Sequence, residues 1–208
     1  MPPKVKFTRE EIVNAAVNVA RVKGAAAVTT RDIAAELKVS TRPIFTYFNT
    51  MDQVKAEIRL AAESIYQEYA REGLEMDVPF LGVGTQHIRF AREEPELYKL
   101  LFLTPPVDEG SGAMAAMRQT LELMRPSLQR IYRIDAATAD IYFRNMWLVV
   151  HSLATLIVTG DCPYSDQELS DILTQFSVST CKACKELPGF TDVSFDRDEL
   201  FGRIVNDG

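Results

Sequence analysis

Two histidines, three cysteines and one tryptophan are all that this 208-residue chain carries of the residue types that most often build metal sites, disulfides and catalytic dyads. The odd, sparse cysteines Cys162, Cys181 and Cys184 exclude a secreted disulfide scaffold. Cys181 and Cys184 form a C-x-x-C in a segment of helical character, but no second C-x-x-C or neighbouring histidine completes a tetrahedral zinc set. Structural thiols are the main reading, with redox or metal sensing as the alternative. Nucleophile elbow, P-loop and H-E-x-x-H are all missing, and Gly82-Val83-Gly84 lacks a preceding strand and a third glycine. Catalysis and a bound cofactor are therefore not expected. Internal repeats, low-complexity runs and strand-like alternation are also lacking. No basic, apolar leader precedes Phe7, and the most apolar stretch, 146–158, is short and interrupted by His151, Ser152 and Thr155. The expectation is a cytoplasmic protein.

What is present is a core-forming composition, 47% hydrophobic and 25% charged, with a net charge of −6 that is unevenly spread. Residues 1–55 hold nine Lys and Arg against five acids, a surplus of four positive charges, whereas the remainder carries ten net negative charges. A polyanion is drawn to the amino-terminal end and repelled by the rest, which orients an encounter. The plainer alternative is two ordinary solvated surfaces.

The basic end contains residues 29–54, TTRDIAAELKVSTRPIFTYFNTMDQV. Thr29 and Asp32 make a variant capping box for a first short helix, whose apolar face is Ile33, Ala34 and Leu37. A turn at Lys38 and Val39 ends it. Ser40 is suited to cap a second helix over 41–48, where Pro43 falls in a first turn that has no intrahelical use for its amide. Ile44 and Phe48 anchor that helix, leaving Thr41, Arg42, Thr46 and Tyr47 to hydrogen-bond to bases or phosphates. Before this unit, Thr8 and Glu11 form another box, and Ile12, Ala15, Ala16 and Val19 keep helical spacing until Gly24. Lys4 and Lys6 form a basic arm able to reach phosphates or the minor groove, or else a disordered terminus.

The order of these parts resembles the amino-terminal domain of the tetracycline-repressor family of bacterial transcription regulators. The matching features are an opening helix, Thr-Arg-Asp-Ile-Ala, Val39-Ser40, Ile44-Phe45, Tyr47-Phe48, and a polar step into a long helix. The resemblance implies an all-α fold with a three-helix helix-turn-helix head over residues 1–52 and a helical effector-binding and dimerisation body over 53–208. It places DNA contacts at Thr29, Thr30, Arg31, Ser40, Thr41, Arg42, Pro43, Thr46, Tyr47 and Lys55. Three positions depart from the family pattern. Lys38 replaces a usual turn glycine and is expected to take a left-handed conformation at a cost of about 1 kcal/mol. Phe45 and Met51 replace a frequent Tyr and Lys that touch phosphates.

Beyond the head, the spacing predicts helices over 51–73, 78–93, 96–103, 112–134, 135–159 and 165–187, with Val54, Ile58, Ala61, Ala62 and Ile65 inward on the first. No Pro- or Gly-rich linker separates head from body, so mechanical coupling is expected. Pro105, Pro106, Gly110 and Gly112 enclose Asp108 and Glu109 in a candidate mobile loop beside a pocket. The tail beyond Pro188 alternates Asp with apolar residues and reads as a loosely packed extension.

Family resemblance further implies that the last two long helices pair with their copies in a homodimer. The expected interface includes Trp147, Leu169, Ile172, Leu173, Phe176 and Thr180, and two reading helices then stand about one DNA turn apart. Trp147 and His151 also match a family Trp-x-x-x-His pair. His151 reads as a pocket group, a buried histidine on a carbonyl, or an interface residue. Candidate ligand residues between the body helices are Tyr66, Phe90, Phe102, Met114, Met117, Tyr142, Phe143, Trp147 and His151, with Met124 also suitable. Each is also an ordinary core residue type, and together they suit an apolar or aromatic effector. Arg89, Arg118 and Arg144 are available to an acid, or are solvated surface. The resulting expectation is a ligand-responsive repressor binding double-stranded DNA; the alternative is a helical adaptor that has weakened or lost operator binding.

Overall fold

A computed structural model describes residues 7–106, 109–192 and 196–206, and these contain helices and no strand. The basic arm at Lys4 and Lys6, and Asp108 of the loop, lie outside the described residues. Helix α1 spans Arg9–Lys23, α2 Thr30–Glu36, α3 Arg42–Tyr47 and α4 Met51–Leu74. They are followed by α5 Pro79–Glu93, α6 Pro95–Tyr98, α7 Ala113–Tyr132, α8 Ala136–Thr159, α9 Asp166–Glu186 and α10 Arg197–Asn206.

Local chemistry accounts for the boundaries. Thr8 Oγ1 accepts from the Glu11 amide while the Glu11 carboxylate accepts from the Thr8 amide, closing the expected box on α1. Gly24, at φ 77°, ends that helix. Asp135 and Ser165 cap α8 and α9 through the amides of Thr138 and Glu168. Each such cap contributes about 1 kcal/mol.

Two elements differ from the expected pattern. Residues 96–103 are not one regular helix: α6 runs on into a five-residue π turn, Lys99–Leu103. The tail is not wholly an extension either, because α10 forms there. The Asp196 carboxylate accepts from the amides of Asp198 and Glu199, and those two acids occupy the positive first turn of the helix. Phe201 and Val205 of α10 are exposed.

The chain forms two compact units. The first comprises Met1–Tyr69 and Arg89–Ala115, the second Ala70–Ile88 and Ala116–Gly208. In the first, Ile12, Ala16, Ile33, Ile44, Phe48, Val54 and Ile58 are buried, joined by an aromatic group of Tyr66, Phe90, Tyr98 and Phe102. Ala62 is buried as expected, but Ala61 and Ile65 are only half-buried, and Tyr66 fills the inward position instead.

In the second unit α8 pairs with α9, and Ile88, Val150, Leu153, Leu169 and Leu173 form a buried apolar cluster. Within this unit the backbones of Gly73 and Gly82 approach so closely that a Cβ on Gly82 would overlap the Gly73 carbonyl oxygen. A Cβ on Gly73 would lie 2.6 Å from the Val83 Cα. The glycines of 82–84 thus serve helix packing, not phosphate binding. Helix α8, taken over its full 24 residues, is long and apolar enough to cross a membrane, which the 146–158 stretch alone did not suggest. Tyr142, Phe143, Met146, Trp147, Val150, Leu153 and Ala154 on it are buried within the chain, as in the core helix of a globular body.

Candidate nucleic-acid interface and effector cavity

Thr29 caps α2: its hydroxyl accepts from the Asp32 amide at 3.3 Å, and the Asp32 carboxylate accepts from the Thr29 amide at 3.1 Å. Lys23 ion-pairs with the same carboxylate. The hydrogen bond from Lys23, then that from Thr29, holds the Asp32 carboxyl below its ordinary range. The chain then turns through Lys38 at φ 55°, the left-handed conformation expected of this non-glycine. The Lys38 and Val39 amides donate to the Ala35 and Ala34 carbonyls at 3.1 and 2.9 Å, completing the turn. Helix α3 begins one residue later than expected, at Arg42, with Pro43 in its first turn. Ser40 is therefore not its cap, and Thr41, which holds that position, makes no side-chain cap bond because its backbone is already helical at φ −70°, ψ −13°.

Ile44 and Phe48 are buried and fix α3 to the head, while Arg42, Phe45 and Thr46 are exposed. Arg31 and Ser40 are exposed too, and Thr30, Thr41, Pro43 and Lys55 are half-buried. Four of the anticipated DNA contacts have other engagements: Thr29 in the cap just described, Thr46, whose hydroxyl donates to the Arg42 carbonyl at 3.3 Å, Tyr47 and Lys55. The Tyr47 hydroxyl donates to the Phe7 carbonyl at 3.0 Å, spending the proton that a phosphate would need. Lys55 lines a cavity, described below. Arg9 stacks over the Phe48 ring at 5.2 Å and pairs with Glu57 at 2.6 Å, bracing α1 against the start of α4.

The expected ligand residues fall into two groups. In the first unit Tyr66 meets Phe90 and Phe102 edge-on, with centroids 5.3 and 5.1 Å apart, as a packed core; Met114 is exposed. In the second unit Met117, Tyr142, Phe143 and Trp147 are buried, and the Tyr142 hydroxyl lies 2.7 Å from Ser177 Oγ. Burial raises the Tyr142 phenol well above its usual range. Trp147 stacks on His151 at 4.7 Å and 11°, and His87, on the buried face of α5, lies 6.0 Å from each ring. Burial, then His151, lowers His87 to about 3, and burial lowers His151 as well. His87 is not among the ligand residues expected from the sequence, although the helical stripe Val83, His87, Phe90, Ala91 puts it inward.

None of these nine residues lines a cleft of about 890 Å³ in the first unit. Its walls come from Gly24–Ala26 between α1 and α2, from Asp52 to Glu63 of α4, from the π turn, and from Thr104, Pro105, Gly110 and Ser111 of the loop expected to border a pocket. Arg59 lines it and is 8% exposed; its Nη2 donates to Thr104 Oγ1 at 2.9 Å. The spacing of Lys55, Arg59 and Glu63 on one face of α4 was the sequence signal for this wall, missed because charged residues on a long helix usually mark solvent.

A three-helix head with a short, well-anchored second helix of a helix-turn-helix, exposed along its outer face and followed by a helical body, defines a DNA-binding protein of the helix-turn-helix class. The family model described as bacterial regulatory proteins of the tetR family matches residues 12–67, and that of the tetracyclin repressor-like C-terminal domain matches residues 80–176. The chain belongs to the tetracycline-repressor family and is a DNA-binding transcriptional regulator. Among solved structures, a member of that family from Streptomyces coelicolor A3 superposes with a TM-score of 0.55 at 21% identity. The match covers 84% of this chain and 98% of that one, a likeness of fold. No curated protein matches the chain.

Proposed function

We propose that the protein is a cytoplasmic, homodimeric repressor that binds a palindromic operator and releases it when a small effector enters its helical part. Residues 1–52 read DNA and residues 53–208 carry effector response and dimerisation. The observation that carries this reading is α3, held by buried Ile44 and Phe48 while Arg42, Phe45 and Thr46 face solvent. Thr41 precedes it, and Thr30 and Arg31 open α2. Release follows from linkage: an effector that favours a conformation unsuited to the operator lowers DNA affinity, and DNA lowers effector affinity by the same factor.

Dimerisation is assigned to α8 and α9. Leu169 and Leu173 are buried in the chain's own cluster and Trp147 is also internal, so they support the interface from behind. Phe176 and Leu148, 50% and 47% exposed, with half-buried Ile172 and Thr180, supply the apolar surface. Replacing Phe176 with Glu should shift the protein towards monomer in light scattering. An unchanged mass would place the interface elsewhere.

The deciding experiment is selection of bound fragments from a random DNA pool at near-physiological salt. A recurrent palindrome with half-sites about 10 base pairs apart supports the repressor dimer. The absence of enrichment favours a helical adaptor, the second reading, for which Phe45, 55% exposed where a phosphate-binding Tyr is usual, is the specific observation.

A further inference from the structure

Arg59 is a charged side chain at a place where charge is costly. It is 8% exposed, and among the described residues its only hydrogen-bond acceptor is the neutral Thr104 hydroxyl; Nη1 is buried with no partner. A buried guanidinium without a carboxylate carries an uncompensated desolvation cost, which is why such groups are normally paired. Lys55, one turn earlier on the same face of α4, also makes no ion pair among the described residues and lines the same cleft. Two unmatched cations, one buried, thus look onto one space of about 890 Å³, a volume suited to a drug-sized molecule.

The remaining wall limits what fits. Leu60, Leu100, Ala56 and Pro105 give it an apolar lining. Three carboxylates, Asp52, Glu63 and Glu96, also border it, and Lys99 neutralises Glu96 at 2.6 Å. The acids oppose a multiply charged ligand such as a phosphate dianion. A single negative charge on an apolar body meets the cations with half the repulsion that a dianion meets, and its body gains the apolar lining.

We propose that this cleft binds an amphipathic organic monoanion, a carboxylic acid with an aliphatic or aromatic body. The Arg59 guanidinium is its main anchor, Lys55 is a second cation, and Leu60 and Leu100 hold its apolar part. Because Gly24–Ala26 and the first turns of α4 form part of the wall, the occupant touches the segments that flank the helix-turn-helix. The assignment of this acid as effector rests on the repressor reading above; its binding does not.

The test uses the full chain without DNA, titrated calorimetrically with decanoate and 4-phenylbutyrate and with the uncharged decanol and 4-phenylbutanol. The expected result is saturable binding of at least one acid, about tenfold or more tighter than its alcohol. Arg59→Gln should weaken that acid by about tenfold or more and Lys55→Gln by a smaller factor, with alcohol binding unchanged. Arg59→Met, which removes a buried unmatched charge, serves as the folding control by circular dichroism and should also lose the acid. Acids that bind no better than alcohols, or acid binding indifferent to both Arg59 variants, overturn the proposal. Selected operator DNA bound by a protein that ignores the acids leaves the repressor reading standing and this one rejected. Arg59-dependent acid binding that leaves DNA affinity unchanged establishes the site and rejects its role as effector site.

Discussion

Arg21 of α1 grips Glu94, 73 residues away, with two prongs: Nε stands 2.8 Å from Oε2 and Nη2 stands 2.7 Å from Oε1. The pair joins the opening helix of the head to the residue that leads into α6, both inside the first compact unit. The same hydrogen bond to Glu94 is the main reason the Arg21 pKa is raised. With Arg21 38% and Glu94 12% exposed at the side chain, solvent screens part of the interaction. A double-mutant cycle of Arg21→Ala and Glu94→Ala in urea denaturation should give a coupling of about 1 kcal/mol, smaller at high salt. A coupling indistinguishable from zero would reduce the pair to a surface contact.

Lys38 predicts a stabilising substitution. Its φ of 55° is a conformation that a residue with a Cβ adopts at a cost of about 1 kcal/mol. Lys38→Gly should raise stability in chemical denaturation by up to about 0.5 kcal/mol, because the added chain entropy of glycine, about 0.4–1 kcal/mol, offsets much of the strain relieved. Lys38→Val should lower it, and a rise with Val would contradict the strain argument.

The histidine group predicts an acid-sensitive second unit. His87 titrates near 3 in the folded chain, chiefly because it is buried, and the unfolded value is near 6.5. Above about pH 6.5 neither state holds the proton and His87 contributes no pH dependence. Below that, only the unfolded state takes it up, so stability falls as pH falls, by about 1.4 kcal/mol per unit, until the folded state protonates near 3. Trp147 and His151 face it; the lowered His151 adds a loss of the same sign. His87→Gln should flatten the stability profile between pH 6.5 and 4 by up to about 1 kcal/mol per unit. An unaltered slope would assign acid sensitivity to the carboxylates.

The glycine crossing predicts a graded series. Gly82→Ala and Gly73→Ala each bring a Cβ into backbone and should cost about 1–3 kcal/mol or more in chemical denaturation. Gly84→Ala meets only Val150 Cγ2 at 3.3 Å and should cost much less. Equal effects at all three positions would mean that the crossing relaxes freely.

Restoring the family residues predicts a change in DNA binding. Phe45→Tyr with Met51→Lys should tighten operator binding and steepen its salt dependence, since one added cation at a phosphate contributes about one unit to the salt slope. If affinity and slope stay as they were, the phosphate contacts lie elsewhere, with exposed Arg42 and Arg31 the first to replace.

The head was legible in the sequence because its signals are local. A Thr followed three residues later by an acid specifies a cap whatever lies far away, and both boxes formed as read. Ile44 and Phe48 had only to be four apart on a short helix to be inward together. The departure at Ser40 is a shift of one residue, since the turn after Lys38 leaves Thr41 already helical. Sites in the later part depend on which helix faces which, and spacing within one helix does not carry that information. Leu169 and Leu173 share a stripe that reads equally as core or interface, and here it is buried against Val150 and Leu153. Arg59 eluded the reading for a different reason: residue type says surface, and only the assembled walls reveal it as enclosed.

Trp147 is the chain's single indole, and it lies buried against two imidazoles with no hydrogen-bond partner for its Nε1 proton among the described residues. The protein therefore comes with its own optical gauge. All indole fluorescence originates at one point in the second unit, in a dry setting that favours short-wavelength emission and beside a ring that quenches when it gains a proton. Events in that unit, including loosening of the α8–α9 pair, can be followed in unlabelled protein by the colour and intensity of a single chromophore.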